Sequence, residues 1–479
     1  MFRLYQKILV ILSVLLFLVS CEGTDRVEPI LTVSVNELTF EAGGGESTII
    51  IDSNDSWSVN NSASWVQLSQ MSGNSGSIAI VLSTMVNSTG ATRSTTIVIS
   101  SSNGQSRRIA VSQPSQLFPS YNTSPQAPDN TGMASTAMEL AAKMKLGWNI
   151  GNTMEAPGGE SGWGNPVITE DYVKFVKQQG FNAIRIPCAW DWHHVVDKKT
   201  ARIDPAWLSR VKEVVGYCVN NDVYVLLNIH WDGGWLENNC TPEKKDSVNA
   251  KQKAYWEQIA TAMRDFDEHL MFASANEPHV ENAEQMEVLL SYHQTFVNAV
   301  RSTGGRNTYR SLVIQGSHQY LNASMFPTDP TPDRLMYEEH NYTPSQFTFL
   351  SEDVSWGNMF YYWGKGHHST IEPDRNATYG EEDAHIEFFQ KMKSEFIDKG
   401  IPVLMGEYGA YRRNNSQYVP KDLETHNDAV DYWITFVTSQ ALAHGVVPFW
   451  WDTGDVLDRA NYTVKDQRTI DAIMAGANQ

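Results

Sequence analysis

The sequence predicts an α/β fold, a (β/α)8 TIM barrel, preceded by a small all-β immunoglobulin-like sandwich domain, and three observations predict it. From about residue 132 of a 479-residue chain, eight short apolar runs alternate with stretches of helical period. Nearly every one of these runs ends in a polar or charged residue, as parallel strands do when they open together onto one rim. Between residues 27 and 114 the composition turns instead to Ser, Thr, Asn, Val and Ile in short alternating runs, the pattern of antiparallel strands with one buried face.

Taken in order, residues 1–20 read as an export signal, with Arg3 and Lys7 ahead of the uncharged run ILVILSVLLFLVS. Leu18-Val19-Ser20-Cys21 is similar to a bacterial lipobox, which implies cleavage before Cys21, lipidation of its thiol and a short anchor segment at 21–26. The expected location is the outer membrane, facing the cell surface. An ordinary signal peptide that happens to contain a cysteine is the alternative. Cys188, Cys218 and Cys240 remain, an odd count that gives no disulfide framework and no metal-ligand spacing.

The runs LTVSV, STIII, WSVN, SIAIVL, STTIVIS and RRIAVSQ build the domain at 27–114, punctuated by glycines at 43–45 and by SGNSG at 72–76. Trp57, Trp65, Gly73 to Gly76, Asn87, Arg93 and Gln113 together resemble a BACON-type domain. That resemblance implies either carbohydrate binding or a spacer role. Trp57 and Trp65 lie in alternating patterns that favour inward packing, so a spacer is the simpler expectation. Residues 115–131, SQLFPSYNTSPQAPDNT, read as a linker without period.

In the barrel region, 132–479, the strand candidates are 147–151, 183–187, 223–230, 270–277, 312–316, 335–342, 403–407 and 446–452. Leu208, Val211, Val215 and Cys218 recur at helical spacing behind Asp204-Pro205, a cap followed by a first-turn proline. Trp256, Ile259, Met263 and Phe266 do the same before the fourth strand, while Gly400 and Gly445 close two later helices. After the fifth strand, 318–326 shows little period, so a helix there is faintly signalled.

The strand ends carry an ordered set: Arg185, His230, Asn276-Glu277, His340 with Tyr342, Glu407, and Trp451. Singly, a histidine or arginine at a strand end more often satisfies backbone carbonyls. As a set they resemble glycoside hydrolase family 5, carried by GWNIGNT at 147–153, IRIP at 184–187, NIHWDGGW at 228–235, ANEP at 275–278, HNY at 340–342, GEYG at 406–409 and FWWDTG at 449–454. The resemblance implies that Glu277 is the acid/base and Glu407 the nucleophile, with Arg185 near the nucleophile and Asn276 on the sugar 2-hydroxyl. It further implies that Tyr342 orients Glu407, that His230 and His340 hold hydroxyls or carboxylates, and that Trp451 lies under the sugar being cleaved. No cofactor and no metal are implied.

The chemistry fits such a pair. An oxocarbenium-like state needs a proton for the leaving oxygen and negative charge beside the anomeric carbon, and carboxyls about 5 Å apart give retention of configuration. Glu407 and partial burial are expected to raise the Glu277 pKa, while Arg185 keeps Glu407 charged. Trp163, Trp231, Trp235 and Trp356 are expected around the same rim, and the long segment 343–383 as a groove wall. A charge of -19 and a pI near 5.1 argue against nucleic-acid or anionic-membrane surfaces. Fifteen Trp, nineteen Tyr and eighteen Phe suit a neutral polysaccharide. The expected substrate is a β-1,4-linked glucan (xyloglucan, mixed-linkage β-glucan or cellulose) cut internally by double displacement in a monomeric catalytic unit. An endo-β-1,4-mannanase and a non-catalytic glycan-binding lipoprotein are the alternatives.

Overall fold

The computed structural model describes residues 28–89, 91–414 and 417–479. The export signal, Cys21 and the anchor segment lie outside the described residues. The chain divides into two compact units, one ending at Gln116 and one beginning at Leu117. No helix among the described residues is long and apolar enough to cross a membrane.

In the first unit, Leu31–Val33, Gly44–Ser53, Gly76–Met85 and Val66–Leu68 pair in the order 1-2-4-3 of their sequence, all antiparallel. A five-stranded sheet contains Glu37–Thr39, Ser106–Gln113, Arg93–Ser101, Trp57–Asn60 and Ser72–Gly73. Alternation puts Ile49, Ile51, Ile80, Leu82, Ile97, Ile99, Ile109 and Val111 into one core. Trp57 belongs to that core at 2% exposure, so it offers no open face. Trp65 is half-buried under the Arg93 guanidinium, 4.6 Å from its ring centre, and Gln113 Oε1 accepts from Arg93 Nε and Nη2.

The second unit is a closed barrel of eight parallel strands: β1 (Gly147–Ile150), β2 (Ala183–Ile186), β3 (Tyr224–Asn228), β4 (Leu270–Ala273), β5 (Leu312–Gln315), β6 (Leu335–Asn341), β7 (Val403–Tyr408) and β8 (Val447–Asp452). The seam between first and last strands pairs Gly147 with Phe449 and Asn149 with Trp451. Helices Glu170–Gln178, Pro205–Asn220, Lys245–Met263, Ala283–Ser302, Glu382–Glu395, Leu423–Ala443 and Gln467–Ala477 follow the strands. After β5 stands only a 3-10 turn, Ala323–Met325. In its place Phe326 packs against Tyr337 and Phe396, and Leu321 is buried.

The helix Ala137–Lys143 opens with a capping box between Thr136 and Glu139. Its Ala137, Leu140 and Ala141, with Met144 just beyond it, join Leu226, Met271, Met336, Leu404 and Phe449 in a cluster that fills one end of the barrel. The polar strand ends occupy the other.

The stretch read as a linker is corrected for most of its length. Ser120 Oγ and the amides of Tyr121 and Asn122 donate to the Glu257 carboxylate, and Gln126–Pro128 pairs with Gly304–Gly305. A buried carboxylate on helix Lys245–Met263 thus binds this segment to the barrel, a contact that composition does not signal.

Candidate active site

Glu407 lies inside β7 and Glu277 stands beyond the end of β4, where its backbone takes a left-handed φ of 46°. Such a conformation costs a non-glycine residue about 1 kcal/mol or more. The Glu277 amide donates to Gln315 Oε1 at the end of β5, at 2.6 Å, which holds the turn. One oxygen of each carboxylate lies within 4.8 Å of the other, with a His340 ring nitrogen inside the same span.

Glu407 is buried and both its oxygens are engaged: Arg185 Nη1 donates to Oε1 at 2.7 Å and Tyr342 Oη to Oε2 at 3.0 Å. Arg185, fully buried on β2, also donates to Asn276 Oδ1 at 2.6 Å and Asn149 Oδ1 at 3.1 Å. Asn149 in turn donates to the Gly406 carbonyl, tying β1 to β7. Glu277 is the opposite case, with its side chain 55% exposed and Oε1 2.8 Å from His340 Nδ1.

Behind these groups stands Glu338, a fully buried carboxylate on β6 that the strand-end reading missed. Its Oε1 is 2.8 Å from Arg185 Nε and 3.1 Å from His340 Nε2. A Cβ at Gly406 would come within 2.1 Å of that oxygen, so glycine there gives the carboxylate its room. A Glu in the run EEHN looks like a solvated pair, and only the register of β6 turns Glu338 inward.

His230 is buried, its Nδ1 3.2 Å from Asn228 Nδ2, and its ring is parallel to Trp451 with centres 5.7 Å apart. Trp451 is half-exposed, while Trp450 beside it is buried edge-on to Tyr408. Trp163, Trp231 and Trp356 are exposed on the loops after β1, β3 and β6. Trp235 departs from the expectation of an open platform. It is 9% exposed and edge-on to Tyr255, with Nε1 donating to Asp232 at 3.2 Å. Asp232 also accepts from the amides of Trp190, Asp191 and Trp192, so this carboxylate, which the motif reading passed over, sutures the loops after β2 and β3. The missed Trp192 is 45% exposed there. Within 343–383, Phe360, Tyr361, Tyr362 and Trp363 are buried, so much of that segment is packed structure.

An open cavity of about 740 Å³ lies on the Trp451 side, lined by Tyr342, Phe349, Tyr411, Trp451, Asp455 and Lys465 among others. A second, of about 530 Å³, lies on the Glu277 side against Gln315, His318, Glu339 and Tyr379. Tyr342 borders both.

The expected order of the two carboxyl pKa values is reversed in this open cleft. Burial pushes the Glu277 carboxyl up, but the hydrogen bond and charge of His340 and the charge of Arg185 outweigh it and hold it below the ordinary value. Burial pushes the Glu407 carboxyl up against the pull of His340 and Arg185. His340 pulls on both carboxyls, and the order reverses because Glu407 is the more deeply buried and His340 hydrogen-bonds Glu277 alone. Burial lowers the His230 ring well below its ordinary value, with the charges of Arg185 and His340 adding to it, which leaves it neutral. A guanidinium at 2.7 Å from Glu407 also makes the Glu277, His340 and Glu407 cluster a poor home for a cation.

Two closely set carboxyls on a barrel rim, one buried on an arginine and one facing a cleft, define a glycoside hydrolase. The Cellulase pattern of glycosyl hydrolase family 5 matches residues 148–456, and the chain belongs to that family. The BACON pattern matches residues 55–114. A xyloglucan-specific endo-β-1,4-glucanase of Bacteroides ovatus is 33% identical over 486 residues, 96% of this chain and 94% of the relative. Endoglucanase A of Paenibacillus barcinonensis is 31% identical over 395 residues, 75% of this chain and 94% of its own. A Bacteroides ovatus family 5 xyloglucanase solved with an XXXG heptasaccharide superposes with a TM-score of 0.69 at 32% identity, covering 94% of this chain and all of that one. A xyloglucan-specific β-1,4-glucanase from a ruminal metagenomic library, solved with XXLG, gives 0.66 at 38% identity over 72% of this chain and 96% of that one.

Proposed function

We propose that the chain is a retaining, endo-acting β-1,4-glucanase whose preferred backbone is xyloglucan. The observation that carries the reading is the spacing of the carboxyls, with oxygens of Glu277 and Glu407 within 4.8 Å. That leaves no room for a water between nucleophile and anomeric carbon and suits direct attack. The relatives named for xyloglucan support the substrate.

Glu407 attacks the anomeric carbon while Glu277 gives its proton to the departing oxygen, so the glycosidic bond breaks as a glycosyl ester forms. Glu277, then ionised, takes a proton from water, whose oxygen attacks the same carbon and releases Glu407. Arg185 and Tyr342 hold Glu407 in line. With its oxygen committed to Arg185, Asn276 has its amide donor end for the sugar 2-hydroxyl. Trp451 supports the sugar at the cleavage point, and the cavity beside Glu277 receives the leaving half. Substrate entering the cleft strips water from the exposed Glu277 and raises its pKa, so that the carboxylate takes up from solvent the proton it then gives to the departing oxygen.

Product release from xyloglucan, mixed-linkage β-glucan, carboxymethylcellulose and mannan, with the first anomer read by proton NMR, tests the reading. The expected result is internal cleavage of xyloglucan with a β-anomer released first, and E407Q falling by at least about 10³-fold while still binding oligosaccharide. An α-anomer first, preferential cleavage of mannan, or an active E407Q overturns it. The chain is further proposed to be a monomeric surface lipoprotein held through Cys21. C21A should then be released from membranes in soluble form, and retention of that variant in the membrane fraction counts against the anchor.

A further inference from the structure

The ring of His340 lies between two carboxylates, with Nδ1 2.8 Å from Glu277 Oε1 and Nε2 3.1 Å from Glu338 Oε1. A neutral imidazole has one N–H and cannot donate to both. Either the ring is a cation, or one of the two carboxyls carries the shared proton and donates it to the ring. Against the effect of burial, the charges of Arg185 and His340 hold Glu338 below its ordinary value, which leaves Glu277 as that carboxyl. The other charged and titratable groups around the ring are Arg185 from β2, with Nη2 3.5 Å from Nε2, Glu407 from β7, with Oε2 3.7 Å from Nδ1, and His230 just beyond β3, while Tyr342, just beyond β6, donates to the same Glu407 oxygen. With Arg185 and His340 cationic and Glu338 and Glu407 anionic, the buried set is neutral when Glu277 is protonated.

We propose that Glu338 is a positioning residue: it fixes His340 with Nε2–H toward the barrel interior, keeps the ring cationic, and through the Nδ1 contact sets the pH at which Glu277 gives up its proton. The inference rests on Glu277 as the acid of the proposed reaction. Glu338 is fully buried, is shared between Arg185 Nε and His340 Nε2, and occupies space that Gly406 leaves open. A merely structural acid would not need to meet both the arginine on the nucleophile and the histidine on the acid. Burial alone would lower the His340 pKa, but the charges and hydrogen bonds of Glu407, Glu277 and Glu338 raise it to about 10. Removing the Glu338 charge lets the ring deprotonate earlier. Glu277 then loses its cationic neighbour and holds its proton to higher pH.

The test is the pH profile of kcat/KM on soluble xyloglucan for wild type, E338Q and E338D, together with a 15N-histidine NMR titration of the wild type. The amide is expected to move the alkaline limb up by about one pH unit. E338D should bring the limb back toward wild type, and the wild-type His340 ring should keep both nitrogens protonated through pH 8. An E338Q variant that loses rate with its alkaline limb unmoved, or a wild-type ring that titrates near pH 6.5, overturns the proposal. If E338Q fails to fold, the wild-type titration decides by the same criterion. A wild type that cleaves no β-glucan while His340 stays doubly protonated defeats the glycanase reading and leaves the Glu338–His340 pairing standing.

Discussion

Glu338 and Gly406 share one volume. A methyl at 406 would lie 2.1 Å from Glu338 Oε1 and 2.7 Å from its Cδ, so G406A should cost about 1–3 kcal/mol, read as a lowered melting temperature. The double variant G406A/E338S should recover most of that loss, because the added methyl then has space. Equal melting temperatures for wild type and G406A would contradict the crowding. Glu237 makes a separate case. It is fully buried, neither oxygen meets a side-chain partner among the described residues, and burial, with Asp232 and Glu277 nearby, pushes its carboxyl up to about 8. The folded state therefore binds a proton between pH 4.5 and 8 that the unfolded chain releases, so this residue's contribution to stability falls as pH rises through that window, by about 1.4 kcal/mol per unit. E237Q removes the penalty. Its melting temperature should match wild type near pH 4.5 and exceed it increasingly toward pH 8, and a constant difference across that range would contradict the buried proton.

At the scale of elements, the segment 117–128 depends on the Glu257 carboxylate, which accepts from Ser120, Tyr121 and Asn122. E257A leaves two backbone amides without their acceptor and should cost about 1–3 kcal/mol, with new protease cleavage within 117–128 as the readout. A cleavage pattern identical to wild type would show that the Gln126–Pro128 pairing and the hydrogen bonds of Tyr121 to Thr200 and Asn122 to Ser302 hold the segment without the carboxylate. The same segment shows where sequence stops being informative. Its Pro, Ser and Asn content is that of a linker, and what binds it lies far along the chain, the Glu257 carboxylate, the carbonyls of Thr200 and Ser302 and the Gly304–Gly305 pairing, which no local period records. The eight strands were legible because each is an apolar run closed by a polar end, and the missing helix after β5 was legible as an absence of period. Glu277 and Glu407 could be read from their places after such runs. Glu338 could not, since inside a strand beside Glu339 its inward direction is set by register, and Trp235 could not be told from its exposed neighbours because Asp232 and Tyr255 decide its burial.

For the whole barrel, the end away from the cleft is filled by helix Ala137–Lys143 with Leu140 at its centre, 1% exposed against the strand interior. L140A should lower stability by about 2–5 kcal/mol in a denaturant titration while leaving KM for the polysaccharide near wild type. A change in KM larger than the change in stability would mean that the two ends of the barrel are coupled. The seam between β1 and β8 has a consequence for how the molecule is made. Gly147 pairs with Phe449, so the strand that leaves the ribosome first among the eight waits for the last before either edge is covered. Until then, both flanks of an unfinished sheet lie open to other nascent chains. A chain stopped after β7 would carry Glu277 and Glu407 yet lack Trp451 and the seam, and would be expected to accumulate in aggregates.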